Sequence, residues 1–140
     1  MRRAVLVLPA LALALTAACS TPRPQVRAVP VYTPPQGINE VMNGPIASDF
    51  GHSLIVGDLN MAPGAAIPRH FHHGEEYIYL LGGSATVSRA GHPDTVLRPG
   101  EGLIVNPGVV HWGVAGPEGM RAISVWVKDD SRPLREMVAE

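Results

Sequence analysis

Four side chains that favour transition metals lie at suggestive spacings in the middle of this 140-residue chain. His70 and His72 are two residues apart, and Glu76 follows after a turn predicted at His73–Gly74. Alternate side chains of a strand share a face, so both imidazoles point the same way, with Cα atoms about 7 Å apart. The returning strand presents Glu76 to that face, and His111 opens a later strand, where it can supply a fourth ligand.

Three neutral imidazoles and one carboxylate suit a single divalent transition metal ion (Fe, Mn, Ni, Cu or Zn) rather than Ca or Mg. We therefore predict metal ligation by His70, His72, Glu76 and His111, with Glu76 acting as ligand or as catalytic base. A redox metal with open coordination positions can bind a substrate oxygen together with O₂, which is the chemistry of a dioxygenase. A non-catalytic protein that binds a metal or a small ligand is the alternative, and the sequence leaves both open.

The elements that must position these residues are short strands. The chain holds 15 glycines and 14 prolines, which are poor in helix interiors and favour strands joined by turns. Strands are predicted at His52–Asn60, Ile67–His72, Glu76–Leu81, Ala85–Arg89, Thr95–Leu97, Gly102–Val105, His111–Ala115 and Arg121–Val127. This spacing predicts an all-β sandwich or small barrel. A short C-terminal helix is predicted over Ser131–Ala139, with Ser131 as its cap.

The spacing of glycines around the histidines resembles the cupin superfamily. Its first motif, G(X)5HXH(X)3–4E(X)6G, is met by Gly64, His70, His72, Glu76 and Gly83. Its second motif is met by Gly100, Gly108 and His111, with Asn106 and Ala115 where proline and asparagine are usual. The resemblance implies a single jelly-roll barrel over residues 43–128, with one metal ion inside and a small organic substrate or ligand. We also expect a homodimer.

Strand parity assigns the neighbours of the predicted ligands to the other face. His73 and Glu75 are predicted on the solvent side, and Tyr77 and Tyr79 on the outer face of their strand. Residues that can line a pocket, or belong instead to the core or a dimer surface, are Phe71, Trp112 and Trp126. Arg69 is the charged residue beside the site that can meet an anionic substrate.

The N-terminus has the three parts of a secretory signal peptide, predicted over residues 1–18. Arg2 and Arg3 precede an apolar run over Ala4–Leu15, and small residues follow. This run is shorter than the roughly 20 residues that span a membrane. Residues 15–19 resemble a bacterial lipobox, which implies a lipid on Cys19 and a periplasmic or outer-membrane lipoprotein. Ordinary cleavage, with Cys19 incidental, is the alternative.

Amino-acid composition predicts the character of the two terminal segments and excludes several classes of site and partner. Residues 19–42 are predicted to be a proline-rich tether or N-terminal arm, and residues 129–140 a tail or helix. Lys and Arg number 11 against 12 Asp and Glu, a net charge of −1, so we expect no nucleic-acid partner. A single cysteine excludes an internal disulfide and a cysteine-rich zinc module.

Overall fold

The computed structural model describes residues 31–139, and their helix and strand content is entirely strand. The strands are β1 (Gly37–Pro45), β2 (His52–Met61), β3 (Ala66–Phe71), β4 (Glu76–Arg89), β5 (Thr95–Leu97), β6 (Gly102–Val105), β7 (His111–Asp129) and β8 (Glu136–Met137). The prediction of an all-β fold is confirmed for these residues. Across residues 31–139 there is no helix with the length and apolar character needed to cross a membrane. The predicted signal peptide and the predicted lipid-bearing Cys19 lie outside the described residues.

Strand β7 is the centre of the sheet. Its first residues pair with β3 and with the end of β4, whereas its later residues pair with β2 and with the start of β4. All pairings are antiparallel, and β5 and β6 attach to β4. Each half of β7 thus lies between two strands, with β4 on one edge and β3 or β2 on the other.

Strands β4 and β7 each merge two strands that the sequence separated. Gly82–Gly83 and Gly116–Pro117 were predicted as breaks, but the strands continue through them. The β4–β7 register shifts around Gly82 and again after Gly83, so these glycines bend a continuous strand. Gly83 has a φ of +69°, and a Cβ there would collide with the carbonyl oxygen of Gly119.

The predicted C-terminal helix over Ser131–Ala139 is wrong. The chain turns after Asp129, whose carboxylate accepts hydrogen bonds from the Ser131 backbone N–H and hydroxyl. The segment then forms β8, which pairs with β3 opposite His70 and Phe71. The free edge of β3 supplies backbone partners that outweigh the local capping signal.

Strand β1 was not predicted from the sequence. Residues 37–42, assigned there to the tether or arm, belong to β1, which pairs with Ser53–Asn60 of β2. Its side chains are mostly exposed, so hydrophobic alternation did not reveal it.

The core lies between β2, β4 and β7. Its buried apolar residues include Ile55, Leu59, Leu80, Val87, Leu97, Val105, Met120, Ala122 and Trp126. Leu80 is fully buried, whereas Tyr77 and Tyr79 are 44% and 49% exposed, so the predicted outward orientation of both tyrosines is confirmed. The same parity turns Glu76 inward.

Candidate metal centre

The structure brings the four predicted ligand residues together inside the barrel. His70 comes from β3, Glu76 opens β4, His111 opens β7, and His72 follows the end of β3. All four are buried, and one ligand atom from each lies within 4.8 Å of the others. Glu76 Oε2 lies 3.0 Å from His111 Nε2 and 3.3 Å from His72 Nε2.

Backbone carbonyls hold a proton on Nδ1 of all three imidazoles. His70 Nδ1 donates to the Pro68 carbonyl at 2.7 Å, and His111 Nδ1 donates to the Val109 carbonyl at 2.9 Å. His72 Nδ1 donates to the Leu134 carbonyl at 2.6 Å. A carbonyl only accepts, so each Nδ1 carries a proton, and a neutral ring keeps its lone pair on Nε2. Such bonds orient histidine ligands in metal sites.

The arrangement of these four ligand atoms, which are all hydrogen-bond acceptors when the rings are neutral, favours a cation between them. Within residues 31–139, His72 Nε2 is buried without a hydrogen-bond partner, although it lies near the Glu76 carboxylate. Two acceptor atoms that face each other repel unless a proton or a metal lies between them. Ligand atoms at right angles around an ion, with bonds of about 2.1 Å, are about 3.0 Å apart. The cluster is therefore compatible with a single metal ion.

In the metal-free site, the pKa values of His70 and His111 shift in opposite directions. Burial, reinforced by His111 and His72, lowers the pKa of His70 to about 4, so its ring is neutral near pH 7. Burial opposes ionisation of Glu76, but its contacts with neighbouring imidazoles, led by the hydrogen bond from His111, outweigh burial and lower the pKa to about 2. Burial also opposes a charged His111, yet its hydrogen bond to Glu76 raises the pKa. The carboxylate is thus ionised and ready to bind a cation.

A cavity of about 370 Å³ opens beside the cluster. The four candidate ligands contribute to its wall, and most of the remaining lining is apolar. The apolar lining includes Ile55, Leu59, Ile67, Ile78, Val87 and Met120. A volume of this size is in the usual range of small-molecule sites.

The aromatic residues singled out in the sequence divide between two environments. Trp112 and Trp126 line the cavity, whereas the Phe71 ring packs edge-on against His73 at 5.2 Å. The Arg69 guanidinium stacks on Trp112, 4.0 Å from the ring centroid. Arg69 thus supports a wall residue, and Arg135 is the arginine that lines the cavity.

Sequence reasoning missed the contribution of the C-terminal segment. Leu134 accepts the hydrogen bond of His72 and lines the cavity beside Arg135. His73, predicted on the solvent side, is only 18% exposed because Glu136 and Arg132 approach its ring at 3.4 and 3.3 Å. No local signal marks a carbonyl as a histidine partner 62 residues away.

Residues 57–126 match the family model described as Cupin domain, which is half of the chain. The chain belongs to the cupin family. Comparison with curated proteins gives no significant match.

Solved structures with the same fold include a cupin-like protein from Thermotoga maritima, with 20% identity and a TM-score of 0.57 over 74% of this chain and 75% of that one. DMSP lyase DddQ from Ruegeria pomeroyi is 24% identical, with a TM-score of 0.54 over 64% of this chain and 44% of the lyase. Oxalate decarboxylase from Bacillus subtilis is 22% identical, with a TM-score of 0.52 over 63% of this chain and 24% of the decarboxylase. The chain thus spans less than half the length of either enzyme, and these likenesses show the fold.

Proposed function

We propose that this protein is a metal-dependent enzyme that acts on a small, mostly apolar organic molecule, with a dioxygenase reaction as the first class to test. The observation that supports it is the apolar cavity of about 370 Å³ whose wall includes all four candidate ligands. A purely structural metal site is usually closed by its protein ligands. Here a ligand that fills the cavity reaches the centre directly.

The protein residues have separate roles in this proposal. His70, His72 and His111 hold the ion through Nε2, and Glu76 supplies a carboxylate that binds the ion or accepts a substrate proton. A bound transition metal would supply Lewis-acid or redox chemistry at the substrate oxygen. Trp112 and the apolar wall exclude water and orient the substrate body.

Two of the similar structures are enzymes that act on small organic molecules, a DMSP lyase and an oxalate decarboxylase. They support enzymatic turnover as the first hypothesis, while binding without turnover is the outcome to be distinguished from it. Four protein ligands leave room at the ion for a substrate oxygen with or without O₂, so the experiment distinguishes a dioxygenase from another metal-dependent reaction.

The test is a substrate screen on protein loaded separately with Fe(II), Mn(II), Ni(II), Cu(II) and Zn(II). Catechols, flavonols and small enediols are supplied while O₂ consumption and substrate loss are recorded together. Metal-dependent O₂ uptake supports a dioxygenase, and substrate loss without O₂ uptake supports another metal-dependent reaction. Glu76→Gln is the control for the carboxylate. Binding of these compounds with no conversion under any metal would contradict the enzyme and favour a binding or sensor protein.

We also propose that the protein is exported and carried on a membrane by a lipid on Cys19. The charged, apolar and small-residue parts of residues 1–18 support this proposal. Intact mass of the mature chain from its native host should show an acylated Cys19, and Cys19→Ala should release the protein or block its processing. An unmodified cysteine at the mature N-terminus would contradict the lipid anchor and leave export standing.

A homodimer is proposed from the outer face of the sheet. Cross-strand partners form an apolar row across five strands, consisting of Ile104, Tyr77, Val125, Val56 and Met42. Ile104 and Met42 are more than half exposed, and exposed apolar patches often mark interfaces. Light scattering of the purified chain should give the dimer mass, and Tyr77→Glu should give a monomer. A monomeric wild-type chain would contradict this proposal.

A further inference from the structure

The cavity beside the metal centre reaches the surface between the two ends of the sheet. Its exposed lining residues, which we call the mouth, are Ile38 and Glu40 of β1, Val114 of β7 and Arg135, directly before β8. Strands β1 and β8 are the two ends of the strand order β1-β2-β7-β3-β8, and among the described residues they do not pair with each other. A ligand therefore enters between β1 and the C-terminal segment.

The C-terminal segment holds Arg135 at the metal end of this mouth. The carbonyl of Leu134 accepts the hydrogen bond of His72 Nδ1 at 2.6 Å, and Arg135 is the next residue. Glu136 pairs with Phe71, and the same antiparallel register continued by one residue sets Arg135 opposite His72. Opposite residues of an antiparallel pair share a face, so Arg135 is on the face of the ligand histidine.

The guanidinium of Arg135 differs from the neighbouring charged groups because it has no protein partner within residues 31–139. It makes no ion pair or side-chain hydrogen bond there. In the same segment, Arg132 pairs with Asp129 at 3.4 Å. Across the mouth, Glu40 Oε1 accepts a hydrogen bond from Asn43 Nδ2 at 3.3 Å. The donors of Arg135 are thus open to a ligand, whereas the opposing carboxylate already has a partner.

The charges around the cavity favour an anion once a metal is bound. Histidine ligands bind a metal as neutral rings. A divalent ion and Arg135 then stand against the carboxylates of Glu76 and Glu40, and one positive charge remains among the lining residues. A monoanion neutralises this excess, whereas a cation would increase it. A guanidinium presents a planar fork of donors that matches the two oxygens of a carboxylate.

We infer that Arg135 is a specificity-determining residue that binds the carboxylate of the substrate at the mouth of the cavity. The substrate class is a small organic acid whose apolar body lies against the buried part of the lining, which includes Leu59 and Met120. This inference rests on the proposed function, because it names the substrate of the same site.

The test compares ligands that share a shape and differ in charge. The pairs are benzoate with benzamide, and cyclohexanecarboxylate with its amide. Dissociation constants are measured by ligand-observed NMR on the Zn(II)-loaded full chain, for wild type, Arg135→Gln and Arg135→Lys. Arg98→Gln is the matched control, because it removes the same charge from an exposed position outside the cavity lining. The zinc content of every variant is measured in parallel.

We expect Arg135→Gln to weaken carboxylate binding about tenfold, as the loss of a charge-assisted hydrogen bond does. Binding of the amides should change less than about twofold, since a neutral ligand lacks that interaction. Arg135→Lys should keep part of the carboxylate affinity, with a loss of about threefold, because it retains the charge without the planar fork. Arg98→Gln should change neither ligand, and all variants should contain the same amount of zinc.

Two results would count against this inference, and they differ in what else they overturn. Carboxylate binding that Arg135→Gln leaves unchanged, or an equal loss for acids and amides, would overturn the role of Arg135 alone. If neither acids nor amides bind the zinc-loaded wild-type protein, the open cavity of the proposed function is overturned, and the role of Arg135 with it.

Discussion

At the scale of single residues, the candidate centre depends on the direction of three imidazole protons. Carbonyls of Pro68, Val109 and Leu134 hold a proton on each Nδ1, which leaves each Nε2 as the ligand atom. The four residues were predicted from their spacing, but these carbonyls were not. A backbone acceptor has no residue type, so its identity depends on the folded path of the chain.

The low pKa of His70 gives a prediction for the metal-free protein. The unfolded chain takes up a proton on this ring near pH 6.5, whereas the folded chain does so only near pH 4. The contribution of neutral His70 is therefore present above pH 6.5 and is lost as the pH falls toward 4. The free energy of unfolding should decrease by up to about 3 kcal/mol across this window, at about 1.4 kcal/mol per pKa unit.

Urea unfolding in the presence of a chelator, at several pH values between 7 and 4, measures this decrease. The His70→Gln variant removes the titrating ring, and subtraction of its curve removes the contribution of all other groups. Parallel curves for wild type and His70→Gln would contradict the assignment of the low pKa to His70.

At the scale of elements, glycines with a left-handed backbone conformation differ in the space around them. Gly83 combines a φ of +69° with a site where a Cβ would collide with the Gly119 backbone, whereas Gly91 has a φ of +78° and open space. Gly83→Ala should reduce the free energy of unfolding by about 2–4 kcal/mol, from backbone strain and overpacking together. Gly91→Ala should cost about 1–2 kcal/mol from backbone strain alone. Equal losses in urea unfolding would show that the β4–β7 contact does not constrain Gly83.

The C-terminal segment provides a second prediction for an element. Truncation after Asp130 removes the Leu134 carbonyl, which orients His72, and strand β8, which pairs with β3. Loss of such an orienting partner typically weakens metal binding by about 10–100-fold. Competition with a chromophoric chelator measures the affinity, and circular dichroism checks that the truncated chain remains folded.

Truncation after Val138 is the matched control, because it keeps Leu134, β8 and the bond from Val138 N–H to the Arg69 carbonyl. The chain that ends at Asp130 should bind the metal about 10–100-fold more weakly than the chain that ends at Val138. A folded chain that ends at Asp130 and binds the metal as tightly as the control would contradict the role of this segment.

Strand boundaries show what local patterns can and cannot predict. β5 and β6 match their predicted bounds, and alternation along Glu76–Leu81 correctly placed its tyrosines outside. Residues 131–139 carry a helix-capping pattern, yet Glu136 and Met137 pair with the open edge of β3, and this pairing replaces the helix. Such long-range pairing cannot be inferred from a local window.

At the scale of the whole molecule, the barrel combines a polar centre with an apolar interior. Strand β7 contributes cavity-lining residues at both of its ends, since His111 opens it and Ser124 and Trp126 lie toward its end. Trp112 and Trp126 were named from the sequence as residues that can line a pocket, but the rest of the lining was not predicted, because it comes from strands distant in sequence. Ser124, however, stands between the inward residues Ala122 and Trp126, and this alternation marks it as an inward polar residue.

Four buried side chains are proposed to hold one transition metal ion, and the metal content of the protein is the measurement that decides this. Elemental analysis of the mature protein from its native compartment should find about one equivalent of a first-row transition metal. The His72→Ala/His111→Ala double variant, purified in the same way and shown to be folded, should contain almost none. A double variant that retains a full equivalent of metal would show that these side chains do not hold the ion.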